Sequence, residues 1–136
     1  MKSRVTLTDN MSFKGELDGF DFMIDADPKF GGQNKGPKPK GLCLTALSGC
    51  TAMDVISILR KMKAEPDEFW VESAAEVAGE HPKAFTKIII TYYFKGGKTT
   101  KDKVEKAVAL SQETYCGVYA MLSKAAPIET KIVLEE

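Results

Sequence analysis

The chain has 136 residues, 43% hydrophobic and 28% charged. That is the make-up of an ordinary globular domain, large enough to bury a core without a disulfide or metal staple. Nineteen basic and nineteen acidic residues cancel, so no global field draws in nucleic acid or an anionic membrane surface, and neither is expected as a partner.

The N-terminal "MKSRVTLTDNMSF" carries no apolar run of signal-peptide length, and no uncharged stretch of about eighteen apolar residues reads as a membrane span. One cytoplasmic domain over residues 1–136 is expected, in a compartment that keeps thiols reduced. "RVTLTD" and "MSFKGEL" read as strands around an Asp9–Asn10 turn, and "DFMIDA" as a third strand after the "LDG" turn. "DPKFGGQNKGPKPK" is a mobile loop; its "GGQNKG" lacks the spacing and the G-K-[ST] ending of a phosphate-binding loop.

A long helix follows from Pro39 to about Lys63, with "RKMK" in its last turn and Pro66 beyond it. Over residues 42–59 it is apolar nearly all round, which predicts burial on every face. "EFWVESAAEVAG" and "AFTKIIITYYFKG" form a hairpin across "EHPK", where the single histidine, His81, is a turn residue. "TTKDKVEKAVALSQETY" reads as a helix with Thr100 as N-cap and Val104, Ala107 and Val108 on one face. "VYAMLSKA" adds a short helix and "IETKIVLE" a closing strand. Strand runs separated by helices, without regular βαβ units, point to an α+β fold.

The chemistry-bearing residues are Cys43, Cys50 and Cys116. With one histidine and no C-x-x-C, no metal site or cofactor is expected. Cys50 and Asp54, four apart on the long helix, share a face, with Gly49, Ser48 and Thr51 leaving room around the thiol. A thiol on an apolar helix is usually inert packing, and only an accessible thiolate of low pKa reacts, so both readings of Cys50 stand open. Cys116 sits at a helix break beside Gly117, where a helix N-terminus would lower its pKa; Cys43 reads as packing and Asp54 as structural.

"ALSGCTAMDVISILRKMK", "EHPKAFTKIIITYYF" and "KDKVEKAVALSQETYCGVYAML" together resemble the OsmC/Ohr superfamily, closest to the OsmC-like branch with a GCT-x-x-DV motif. The resemblance implies antiparallel sheets packed around a long buried central helix in an intertwined homodimer. It also implies that Cys50 reduces organic hydroperoxides through a sulfenic acid. Cys116 then resolves it as a disulfide, and a dithiol such as a lipoyl group reduces that disulfide. Peroxidase members hold the thiolate with an Arg–Glu pair. Here Lys40 or Gly41 stands at the carboxylate position, and the two arginines are Arg4 and Arg60, the latter ten residues from Cys50. This departure keeps two other functions in view: a non-peroxidase relative binding a small apolar or thiol-reactive ligand, and a cysteine redox sensor.

Overall fold

Two tight turns organise the first strands of the computed structural model, which describes residues 1–136. Asn10 (φ 47°) turns β1 (Ser3–Asp9) into β2 (Ser12–Leu17). Asp18 (φ 52°) and Gly19 (φ 83°) turn β2 into β3 (Phe20–Ile24). Two successive residues at positive φ give the two-residue turn that matches strand twist, and Leu17 pairs with Phe20 across it. The result is an antiparallel sheet in the order β1-β2-β3. It belongs to residues 1–43, the first of two compact units.

The Gly/Pro/Lys loop after β3, expected to be mobile, is tied to one buried carboxylate. Asp25 accepts from Ser12 Oγ at 2.6 Å and from the backbone N–H groups of Ala26, Gln33 and Lys35 at 2.7, 3.2 and 3.1 Å. A 3-10 turn over Pro28–Phe30, capped by Asp27, starts the loop. Gly32 and Gly36 lie so close to the backbones of Ala26 and Met23 that a Cβ at either position would collide. The Ser12 hydroxyl and the three amides push the Asp25 carboxyl down to about 2, against the opposing effect of its burial.

In the second unit, residues 44–136, the sheet order is β4 (Glu68–Val77), β5 (Phe85–Lys95), β6 (Ile128–Glu135). β4 and β5 form the expected hairpin, whereas β6 runs parallel to β5, so the sheet is mixed where antiparallel pairing was expected. The cause lies in the connection. α2 (Lys101–Leu110) and α3 (Gly117–Ser123) carry the chain back along the sheet before β6 begins, as a parallel neighbour requires. Thr100 occupies the N-cap position of α2 and its carbonyl accepts from Val104, but its side chain makes no capping bond.

α1 (Pro39–Lys61) begins at a proline, which has no N–H to leave unpaired in a first turn. Its buried residues are Leu47, Thr51, Val55 and Leu59, spaced by four and therefore on one stripe. That stripe packs with Ile88, Ile90, Tyr92 and Phe94 of β5 and Val104, Ala107 and Val108 of α2 to form the core. Each fully buried aliphatic side chain contributes about 1.5–3 kcal/mol. By length and hydropathy α1 would also suit a membrane; its place in the core accounts for the apolar stripe. The expected burial on every face is not met within one chain, where Met53 is 74% exposed and Cys43, one turn before Leu47, is also exposed.

A carboxyl with a depressed pKa contributes stability above its ordinary pKa of 3.8, and that contribution is lost as pH falls towards 2. Asp25→Asn is therefore expected to remove the part of the acid-unfolding curve that falls in this window. It should also speed hydrogen exchange at the amides of residues 26, 33 and 35 at neutral pH. Unchanged exchange at those amides would contradict the role assigned to Asp25.

Candidate functional site

Thr51, the one polar residue in the buried stripe of α1, meets two other hydroxyls. Its Oγ1 lies 2.8 Å from Tyr92 Oη on β5 and 2.7 Å from Ser111 Oγ. Ser111 Oγ donates to Asp54 Oδ2 at 2.9 Å, and Gln112 Nε2 donates to Tyr92 Oη at 3.1 Å and to Thr130 Oγ1 at 2.9 Å. Proton inventory orients the chain. Ser111 has a single hydroxyl proton and gives it to a carboxylate that accepts only. Thr51 must then donate to Ser111, and Tyr92 to Thr51. The network is fully satisfied, and no buried side-chain nitrogen or oxygen in the protein lacks a partner. Burial nevertheless raises the Tyr92 pKa, against the lowering effect of Thr51 and Gln112.

The same junction sets where the cysteines lie. Cys50 and Asp54 flank Thr51 on α1. Across from them α2 widens into a π-helical segment over Ser111–Tyr115, closed by a 2.7 Å bond from Cys116 N to Ser111 O. Such widened turns often mark functional positions. Here the segment ends the helix and leaves Cys116 extended (φ −78°, ψ 102°) as N-cap of α3, its Sγ accepting from Tyr119 N at 3.3 Å. The sulfurs of Cys50 and Cys116 and a carboxylate oxygen of Asp54 thus all fall within 4.8 Å of one another. All three cysteines are free thiols.

The two clustered thiols differ in surroundings. Cys50 is half-buried, whereas Cys116 is only 3% exposed. Burial pushes the Cys116 thiol up to about 11; the Tyr119 N–H opposes this, while the neighbouring Cys50 and the Asp54 carboxylate add to it. The expectation that a helix N-terminus would lower this pKa is therefore corrected: one amide bond is outweighed by loss of solvent. Asp54 also lines a cavity of about 550 Å³ with Met53, Ile58, Lys61, Met62 and Tyr115.

Arg60, the arginine of the second unit, is engaged away from this cluster. Arg60 donates from Nε to Glu65 at 2.8 Å at the far end of α1, and Arg4 lies in β1 of the first unit. Sequence reasoning missed Ser111, Tyr92 and Gln112, and the proximity of Asp54 to Cys116. Their only sequence signal was the spacing of Cys50 and Asp54; the partners come from elements brought together by folding.

Thr51→Val preserves shape and deletes the central hydroxyl, so Tyr92 and Ser111 each lose a partner in a buried setting. Urea unfolding is expected to show a loss of about 1–3 kcal/mol. Thr86→Val, at an exposed position of β5, should stay within about 0.5 kcal/mol of the parent. Equal effects at the two positions would remove the junction's structural role.

The OsmC-like protein family model matches residues 32–131. Protein YhfA of Escherichia coli (strain K12) is 34% identical over 129 residues, covering 94% of this chain and 93% of that protein. A hypothetical protein from Aquifex aeolicus VF5 superposes with a TM-score of 0.87 at 25% identity, covering 99% of this chain and 96% of that one. An organic hydroperoxide resistance protein OsmC from Legionella pneumophila, at 14% identity, shares the fold with a TM-score of 0.73 over 97% of this chain and 95% of its own. With most of its length matched in sequence and in structure, the chain belongs to the OsmC-like protein family.

Proposed function

We propose that the protein is a thiol peroxidase that reduces organic hydroperoxides, with Cys50 as the attacking thiol and Cys116 as the resolving one. The observation that carries this reading is the pair of free thiols within 4.8 Å on two different elements, one half-buried and one nearly closed to solvent. Family membership and the name of the Legionella relative support a peroxide substrate.

The steps follow from the asymmetry. Cys50 is the thiol a peroxide can reach. Its thiolate attacks the distal oxygen of ROOH, the O–O bond breaks, and RO⁻ takes up the proton released by the thiol to leave as ROH. Cys50 is now a sulfenic acid, which is easily overoxidised unless a second thiol stands beside it. Cys116, held protonated by its burial, is protected from oxidation before that point. Its sulfur then attacks the Cys50 sulfur, and its proton leaves with the hydroxide as water. An external dithiol, of the lipoyl kind, reduces the disulfide and is itself oxidised. Closing the bond needs the Cα atoms within about 7 Å and a contraction of the sulfurs to about 2.05 Å.

Residues 1–136 act as one OsmC-like domain, and two chains form a homodimer in which the open apolar faces of α1 are covered. Met53, 74% exposed in the single chain, belongs to such a face. A reducing cytoplasm would keep the three thiols in the free state that the cycle starts from.

The test is intact mass and free-thiol count after one equivalent of cumene hydroperoxide is added to reduced protein, in the presence of a chelator. The parent should lose two thiols, Cys116→Ser should accumulate a sulfenic acid at Cys50, and Cys50→Ser should stay reduced. If all three proteins keep their thiols, the absence of a carboxylate at Lys40 or Gly41 has decided the matter. Ligand binding in the cavity beside Asp54 then becomes the reading to pursue.

A further inference from the structure

Two thiols and a carboxylate oxygen within 4.8 Å of one another form a donor set as well as a redox pair. We propose that, in the reduced protein, Cys50, Cys116 and Asp54 form a zinc-binding site, with Zn²⁺ held by both sulfurs and one carboxylate oxygen and a water in the fourth position. The sequence offered no such expectation, since it has one histidine and no C-x-x-C. The donors come from α1 and from the start of α3, and only folding brings them together.

The geometry is close to what zinc asks for. Zn–S bonds of about 2.3 Å and Zn–O bonds of about 2.0–2.2 Å place tetrahedral donors about 3.5–3.8 Å apart. The three donor atoms here lie within 4.8 Å of one another, so a contraction of about 1 Å by side-chain rotation completes the site. Two of the three are already oriented from behind. Ser111 Oγ holds Asp54 Oδ2 at 2.9 Å and Tyr119 N–H points at Cys116 Sγ from 3.3 Å. Hydrogen bonds to ligand atoms from outside the coordination sphere are a regular part of protein metal sites. Asp54 itself also lines a cavity of about 550 Å³.

The donor chemistry selects the ion. Thiolates are poor ligands for Mg²⁺ and Ca²⁺, and a carboxylate oxygen is a poor ligand for Cu⁺, while zinc accepts both types. Both thiols must give up their protons to bind the ion, so zinc affinity is expected to rise with pH. Three protein ligands and an open fourth position set this site apart from the closed, four-ligand structural zinc sites. One consequence rests on the peroxidase reading: with both sulfurs on zinc, Cys50 is not free to attack and the disulfide cannot close, whereas disulfide formation releases the ion.

Cobalt(II) serves as the visible stand-in for zinc. Untagged, fully reduced protein titrated with Co²⁺ is expected to bind one ion per chain with sulfur-to-cobalt charge-transfer absorption. Zn²⁺ should abolish that absorption, and two protons should be released per metal. Cys50→Ser and Cys116→Ser should each lose about half of the charge-transfer intensity and bind at least about tenfold more weakly. Asp54→Asn should keep the intensity and bind more weakly, and Cys43→Ser should match the parent. Absence of charge transfer in the reduced parent would overturn the proposal. So would a band left at full intensity by both Cys50→Ser and Cys116→Ser, because it would belong to Cys43. The peroxide assay, run with chelator, reads the peroxidase proposal separately: cobalt binding without peroxide reaction would leave the zinc site standing alone, and the reverse result would leave only the peroxidase.

Discussion

The hydroxyl of Thr51 is the point on which the second unit turns. It sits fully buried between Leu47 and Val55, where an apolar residue would pack as well and cost nothing in desolvation. A hydroxyl there is tolerated because Tyr92 and Ser111 meet it at 2.8 and 2.7 Å. Those two bonds join the central helix, the middle strand and the π-helical turn at one place. A partly satisfied junction would be worse than none, so each partner constrains the others and the register of α1 against β5 is specified.

That constraint places the two clustered cysteines and Asp54. Cys50 directly precedes Thr51, Asp54 follows one turn later, and Cys116 leaves the π segment whose first residue, Ser111, is bonded to both Thr51 and Asp54. The cluster is thus fastened to the core by hydrogen bonds rather than carried on a loose loop. The unequal burial of the two sulfurs follows from the same packing. α1 presents Cys50 beside its buried stripe, while Cys116 is enclosed where α2 ends and α3 begins. Chemistry that needs one accessible thiol and one shielded thiol, and chemistry that needs both as metal donors, start from this one arrangement.

The first unit shows a similar economy with a different group. Asp25 gathers a side-chain hydroxyl and three amides, and a fourteen-residue Gly/Pro/Lys stretch that reads as mobile is closed against β3. Nothing in local propensity announces this, because an aspartate at a strand end reads as a turn residue. The glycines at 32 and 36 were legible only as loop formers; their closeness to the backbones of Ala26 and Met23 is a tertiary fact.

Read alone, the sequence determined the element order, the helix beginning at Pro39, the hairpin of β4 and β5, the core face of α2 and the family, because these depend on local periodicity and on contiguous motifs. It placed Cys50 and Asp54 on one helix face for the same reason. Only the tertiary structure decided that β6 lies parallel to β5, that Cys116 is shielded rather than activated, and that Ser111, Tyr92 and Gln112 support the site. Each of these depends on residues far apart in the chain, and on burial, which reverses the sign that a helix N-terminus alone would give to a thiol pKa.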